Sequence, residues 1–294
     1  MPASELARRL QEGPCVLDGA TGTELERRGV STALPLWSAA ALWEHPEVVR
    51  DIHADYAQAG VGLLTANTFR TQRRVLQRAG RGTEAAAFTA RAVELARQGA
   101  AAATRRPLVL GSAPTLEDCY RPEDVPEDAL LVREHLEHAR HLPAAGVDAI
   151  LIETMNTIRE ARAAVHAARE VGLPFVVSFV CWQGAHLLSG ERLADALAAV
   201  ATYDPAAVCV NCLPPSNVEP CLAILQESGM RFGVYANLGE PEEATGFRRR
   251  EDCSPSHFAT HTARWLAAGS ALVGGCCGTT PAHLRAVVQT ATIR

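Results

Sequence analysis

The chain has 294 residues, a formal net charge of −5 and no lysine, so its basic side chains are all arginine or histidine. The acidic balance argues against a nucleic-acid partner, whose phosphates are normally met by a basic face. The missing lysine removes Schiff-base enzymes and lysine-dependent phosphate loops, while 48% hydrophobic and 21% charged residues are a globular composition, long enough for one large core.

From the N-terminus, residues Met1 to Glu12 are polar with helical spacing. They do not have the basic-then-apolar order of a secretory signal, and no later stretch approaches a membrane span. The nine cysteines are an odd number scattered along the chain, which fits reduced thiols in the cytoplasm better than a secreted disulfide framework.

Eight short runs of Val, Ile, Leu and Ala follow, at about Val16–Ala20, Leu63–Phe69, Leu108–Ala113, Ala149–Met155, Phe175–Cys181, Ala207–Cys212, Phe232–Leu238 and Ala271–Cys277. Each is too continuously apolar for a half-exposed strand, and each precedes a segment of helical spacing, as in a buried parallel sheet. Gly60, Gly146, Gly172 and Gly269 close helical stretches just before the next run. Thr157 with Glu160, and Ser216 with Glu219, read as capping boxes. Ser254-Pro255 and Thr280-Pro281 read as helix starts with proline at the first position. Eight strand-then-helix units without a long linker predict a single-domain (β/α)8 barrel over residues 1–294, with an open doubly wound sheet as the alternative.

In a barrel, reactive side chains gather at the carboxyl ends of the strands. The first predicted strand ends in Asp18-Gly19-Ala20-Thr21-Gly22, the fourth in Glu153-Thr154-Met155, the sixth in Asn211-Cys212, the seventh in Asn237 and the eighth in Gly275-Cys276-Cys277-Gly278. Strands six and eight are separated by one neighbour, so Cys212, Cys276 and Cys277 can reach one ion. Three sulfur ligands suit zinc and leave a fourth position open, the mark of a catalytic site. The glycines around the pair would let the backbone bend so that two adjacent thiols face the same way. Small buried hydrophobes are the plainer reading of such cysteines, and Asp18 and Glu153 read equally as helix caps.

Cys15, Cys119, Cys181, Cys209, Cys221 and Cys253 do not share this convergence and read as structural, with Cys209 one residue off the face of Cys212. His53 and Tyr56 read as packing residues of the first long helix. No histidines fall at metalloprotease spacing. The clusters Arg8-Arg9, Arg27-Arg28, Arg73-Arg74 and Arg248-Arg249-Arg250 read as solvated surface.

Taken together, Asp18-Gly19-Ala20-Thr21-Gly22-Thr23-Glu24-Leu25, Thr65-Ala66-Asn67-Thr68-Phe69, Glu153-Thr154-Met155, Val210-Asn211-Cys212 and Gly274-Gly275-Cys276-Cys277-Gly278 resemble, in order and over nearly the whole chain, the signatures of the homocysteine S-methyltransferase family. The resemblance implies a barrel with zinc on Cys212, Cys276 and Cys277 and homocysteine sulfur as the fourth ligand. It also implies that Asp18 and Glu153 hold the substrate amino group, that the Gly19-Ala20-Thr21 backbone faces the amino-acid end, and that Asn237 faces the metal when substrate is absent.

The expected reaction is methyl transfer to homocysteine from a sulfonium donor, S-methylmethionine or S-adenosylmethionine, giving methionine. Such a donor loses its positive charge on transfer and needs no general acid. Betaine, methylcobalamin on a separate protein, another thiol or selenol acceptor, and a non-catalytic zinc-binding protein are the alternatives. Betaine-using members usually carry a C-terminal segment that is not seen after Arg294. Between Gly111 and Pro122 the chain departs from the family's glycine- and proline-rich loop, which bears on the donor. Small molecules are the expected partners, without nucleic acid or membrane.

Overall fold

In a computed structural model of the chain, residues 4–240, 248–249 and 254–292 are described, with backbone only at 240, 248 and 249. Cys253 and Arg250 lie outside the described residues, as do the side chains of Arg248 and Arg249. The strands are β1 (Cys15–Val16), β2 (Leu63–Ala66), β3 (Leu108–Ala113), β4 (Ala149–Met155), β5 (Phe175–Phe179), β6 (Ala207–Asn211), β7 (Phe232–Ala236), β8 (Gly239–Glu240), β9 (Arg248–Arg249) and β10 (Leu272–Gly275). Eight of them form one parallel sheet in the order β1-β10-β7-β6-β5-β4-β3-β2.

The sheet closes where Leu17 bridges Leu63 and the Asp18 N–H donates to the Leu63 carbonyl at 3.0 Å. The result is the (β/α)8 barrel expected from the hydrophobic runs, and the open sheet is ruled out. The antiparallel pair β8/β9 inserts between the seventh and eighth barrel strands and had no signal in the hydrophobic pattern.

Two apolar layers follow from strand alternation. Outward residues such as Val109, Ile150, Val177, Val208 and Val234 join the helices in the larger core. Inward residues Leu17, Leu63, Leu110, Leu151, Val176, Cys209 and Leu272 fill the barrel together with Leu6 and Leu10 of the N-terminal helix Glu5–Glu12. That helix plugs the amino end of the barrel. Ser4 caps it by accepting the Ala7 N–H, and Arg9 donates to the Gly62 and Arg106 carbonyls just ahead of β2 and β3. Fully burying each leucine contributes about 1.5–3 kcal/mol.

The helix-closing glycines all have left-handed backbone, Gly60 at φ +94° and Gly269 at φ +99° among them. Pro255 and Pro281 open their helices as expected. The capping boxes differ from the sequence reading. Thr157 does accept the Glu160 N–H, but the Glu160 carboxylate does not reach back. It is fully buried and takes the Leu116 N–H at 2.7 Å and the His135 ring at 3.2 Å, partners from elsewhere in the chain that hold it away from the Thr157 N–H. At Ser216 the chain forms a 3-10 turn, Pro215–Asn217, and helix Glu219–Glu227 starts without a side-chain cap.

Candidate metal centre and active site

At the carboxyl end of the barrel the strands open into a cavity of about 480 Å3. Asp18, Gly19, Ala20, Thr21, Glu153, Cys212, Cys276 and Cys277 all line it, so eight of the nine site residues expected from the sequence meet there. Asn237 does not line it. Its side chain is fully buried and both amide atoms lack a partner among the described residues. A larger hollow of about 760 Å3 opens at the plugged end around Cys15, Gly60 and Ala102, but it gathers a single thiol and no carboxylate pair, so the chemistry belongs to the carboxyl end.

The three thiols converge. Cys212 Sγ lies 2.9 Å from Cys276 Sγ, and the three Sγ atoms all fall within 4.8 Å of one another. Cys212 follows β6, where strict alternation would turn it away from the inward-facing Asn211. Its left-handed backbone, φ +55°, breaks the alternation. Thr154, after Glu153 on β4, is likewise left-handed at φ +62° and sits at a register shift between β4 and β5.

One side chain holds both departures. Buried Asn211 accepts the Thr154 N–H at 3.1 Å and the Ser178 hydroxyl at 2.7 Å, and donates to Thr154 Oγ1 at 2.9 Å. Left-handed backbone at a non-glycine residue costs of order 1–2 kcal/mol, and three buried hydrogen bonds at about 1 kcal/mol each offset it. In the sequence Asn211 stands only as the strand-end neighbour of Cys212 and as the middle residue of Val210-Asn211-Cys212. A buried amide at a strand end was the available signal.

Of the three glycines expected to bend the chain around Cys276 and Cys277, namely Gly274, Gly275 and Gly278, only Gly278 has the left-handed backbone of a turn. Gly274 and Gly275 permit close approach rather than bending: a Cβ on Gly275 would come within 2.3 Å of Thr279 Oγ1, and one on Gly274 within 2.8 Å of Leu17. The turn itself lies at Gly278, φ +84°. The loop is fastened by Cys276 N–H to the Ala236 carbonyl (2.9 Å), Leu238 N–H to the Cys277 carbonyl (2.8 Å) and Gly278 N–H to Thr23 Oγ1 (2.9 Å). Tyr56 also does more than pack. Its hydroxyl lies 2.9 Å from the Ala20 carbonyl and 3.2 Å from that of Thr279, tying the first loop to the last. His53, fully buried with neither ring nitrogen partnered among the described residues, is a packing residue, and burial holds it near pKa 4.

Within the cluster, thiol donors from Cys276 and Cys277 hold the Cys212 sulfur well below the ordinary thiol value, and the Cys212 thiolate in turn keeps Cys276 and Cys277 protonated. Beside it, Asp18 accepts the Thr65 N–H (2.8 Å) and hydroxyl (2.9 Å), and Glu153 accepts the Ser112 hydroxyl. Burial outweighs these bonds, lifting Asp18 to about 7 and Glu153 to about 8. Neither carboxylate is a helix cap. Two buried acids with raised pKa on one cavity wall mark a candidate functional site.

Three further residues complete the cavity. Tyr235 is buried under it with no partner for its hydroxyl among the described residues. Cys119 and Tyr120, from the loop that departs from the family pattern, line its mouth, so Cys119 is a wall residue and not solely structural. Tyr120 packs edge-on against Trp182 at 6.1 Å, whose indole N–H donates to the Cys212 carbonyl at 3.0 Å. Cys15, Cys181, Cys209 and Cys221 are buried and free.

The profile of the homocysteine S-methyltransferase family matches residues 15–291. The homocysteine S-methyltransferase of Escherichia coli K12 is 32% identical, over 92% of this chain and 93% of its own length. The selenocysteine Se-methyltransferase of Brassica oleracea var. italica is 27% identical, over 94% of this chain and 88% of its own. The crystal structure of the homocysteine methyltransferase MmuM from Escherichia coli in its metallated form superposes with a TM-score of 0.84 at 29% identity, covering 96% of this chain and 99% of that one. With its barrel, its three convergent thiols and this match along nearly its whole length, the chain belongs to the homocysteine S-methyltransferase family and is a methyltransferase.

Proposed function

We propose that this protein moves a methyl group from a sulfonium donor, S-methylmethionine or S-adenosylmethionine, to the sulfur of homocysteine, with zinc held by Cys212, Cys276 and Cys277. The observation that carries the reading is the juxtaposition of three thiols within 4.8 Å and two buried carboxylates on one cavity. A store or sensor of metal has no use for such carboxylates. An amino-acid acceptor does.

The donor set fits zinc: three soft thiol ligands, already gathered within 4.8 Å of one another with Cys212 buried, supply all but one position of a tetrahedron. Zinc bound there would make a thiol at the remaining position ionise at neutral pH and keep it nucleophilic. Asn237 does not line the cavity of the thiols, and the ligand set proposed is the three cysteines.

The protein's own residues then fix the acceptor. Asp18 and Glu153 receive its ammonium group, and the Gly19-Ala20-Thr21 backbone faces its carboxylate end. The magnitudes agree. Holding Asp18 near 7 instead of its ordinary value costs about 4 kcal/mol, and one ammonium about 4 Å away returns about 4 kcal/mol at an effective dielectric constant near 20. Substrate therefore brings its own counter-ion, of a size that matches the cost of ionising Asp18. Thr65 and Ser112 hold the oxygens of Asp18 and Glu153 in place before substrate binds. The barrel beneath, filled with Leu17, Leu151 and Leu272, excludes water from below.

Protein stripped with a chelator, reloaded with zinc and offered homocysteine and selenohomocysteine against S-methylmethionine, S-adenosylmethionine and betaine tests the reading by mass spectrometry of the methylated product. Turnover with a sulfonium donor, lost on stripping and restored by zinc, is the expected result. Zinc bound at one per chain with no methylated product from any pair overturns it.

A further inference from the structure

Between Arg70 and Arg81 the chain carries five arginines, and four of them have carboxylate partners. Arg73 pairs with Glu137, Arg74 with Glu117 and Glu134, Arg78 with Glu117, and Arg81 with Glu84. Arg70 forms no ion pair with any described residue, its Nε is buried without a hydrogen-bond partner, and it lines the active-site cavity. Its guanidinium carbon sits 5.6 Å over the Phe69 ring. A surface arginine left unpaired is satisfied by water. A buried Nε in a cavity wall is an unspent donor, costly to leave unmade.

The backbone around it is fixed. On one side Thr68 Oγ1 donates to the Ser112 carbonyl at 2.8 Å. On the other, Thr71 shares a hydrogen bond with Thr89 at 2.9 Å and Gln72 Nε2 donates to the Thr115 carbonyl at 3.2 Å. Thr68, Thr71 and Gln72 are all buried. Arg70 is thus the member of this run left to face the cavity from a rigid frame, the condition for a recognition group that loses little entropy on binding.

Its position in the cavity separates it from the acceptor end. Thr65, which holds Asp18, lies within β2, whereas Arg70 stands four residues beyond the end of that strand at Ala66, on the loop toward the open side of the barrel. Trp37, Phe69, Asp118 and Tyr120 share the mouth with it. An amino acid whose ammonium rests on Asp18 and Glu153 carries its carboxylate one carbon away, at that inner end. A donor must reach the acceptor sulfur from the mouth, with its own amino-acid portion trailing there.

On the reading of a sulfonium donor and homocysteine, we propose that Arg70 binds the α-carboxylate of the methyl donor. The planar guanidinium fork matches a carboxylate and gives charge-assisted bonds. Arg70 therefore selects donors that carry a free carboxylate, and its positive charge on the Phe69 face disfavours a bare sulfonium in the same place.

The test uses zinc-loaded full-length protein, with calorimetric affinities for S-methylmethionine, its carboxamide and homocysteine alongside steady-state kinetics. Wild type should bind S-methylmethionine about 10- to 100-fold more tightly than the carboxamide, the range of a charge-assisted hydrogen bond. Arg70→Gln should lose that discrimination while keeping its homocysteine affinity within about twofold and its zinc content. Arg70→Lys should recover part of it. Homocysteine affinity and zinc content report whether each variant is folded. A wild-type protein that transfers methyl but whose Arg70→Gln variant binds the free donor as well as wild type overturns the Arg70 assignment alone. So does a loss confined to homocysteine. A wild-type protein with no methyl transfer from any sulfonium overturns the reaction, and the inference with it.

Discussion

Cys209 and Cys212 stand three residues apart on the same strand and at its end, and they behave in opposite ways. Cys209 points into the apolar filling of the barrel, where burial pushes its thiol far above the ordinary value. Cys212, turned by its left-handed backbone, meets two other thiols that hold its sulfur down. The two ends of the barrel differ in the same way. The plugged end packs Leu6 and Leu10 against leucines of the strands. The open end carries buried Asp18, Glu153, Asn211 and Ser178 and uses that stability to hold groups that would not gather unaided. Burial raises the proton affinity of every thiol and carboxylate, and what lies within hydrogen-bond reach decides which of them becomes reactive.

The sharpest break of this comparison is to remove the same atom from both cysteines. Cys212→Ser should take zinc from one per chain to a small fraction and turnover down by about 1,000-fold or more, since the ligand set falls below three. Cys209→Ser should keep zinc and turnover and lose about 1–3 kcal/mol of stability by burying a hydroxyl among leucines. Metal analysis and denaturant melts check both, and equal zinc loss in the two variants contradicts the contrast.

Asn211→Ala tests what keeps the two ends of β4 and β6 turned. Three buried hydrogen bonds disappear together, so about 3 kcal/mol of stability should go with a clear loss of zinc affinity. A variant destabilised to that extent but binding zinc as wild type does shows that the backbone holds Cys212 without the clamp.

Glu153→Gln should retain zinc and raise the homocysteine KM about 10- to 100-fold, the effect of losing one charge-assisted contact. Unchanged kinetics remove Glu153 from the acceptor site.

The carboxylates also set how stability depends on pH. Asp18 and Glu153 bind protons more tightly folded, at about 7 and about 8, than unfolded, near 4. Their contribution is therefore fully present below pH 4 and is lost as pH rises through about 7 to 8. Substrate-free protein should melt lower at pH 8 than at pH 5, and Asp18→Asn should flatten that slope. A melting temperature that rises over this interval and is unmoved by the substitution contradicts the assignment.

Much of the architecture is legible in the residues themselves. Val, Ile and Leu runs mark strands because a barrel strand is buried on both faces, and glycines such as Gly60 and Gly269 mark helix ends because left-handed backbone favours a residue without Cβ. The family signatures Val210-Asn211-Cys212 and Gly275-Cys276-Cys277-Gly278 lie in short contiguous segments, so the three thiols that meet in the fold could be picked out before any contact was known. The fates of Glu160, Asn211, Tyr235 and Arg70 could not. Glu160 has the spacing of a cap and instead satisfies Leu116, 44 residues earlier. Arg70 stands in the same arginine-rich run as its paired neighbours, and only the fold shows that it faces the cavity without an ion pair to any described residue.

Local chemistry along the polypeptide thus decides where strands and helices begin and end, and which residues stand at the rim. Which thiol is acidic and which carboxylate stays protonated depend on neighbours brought from 41 to 64 residues away, and the loops that carry them are joined across as much as the 259 residues from Ala20 to Thr279. Only the closed barrel supplies those neighbours, because burial and charge act through space and not along the chain.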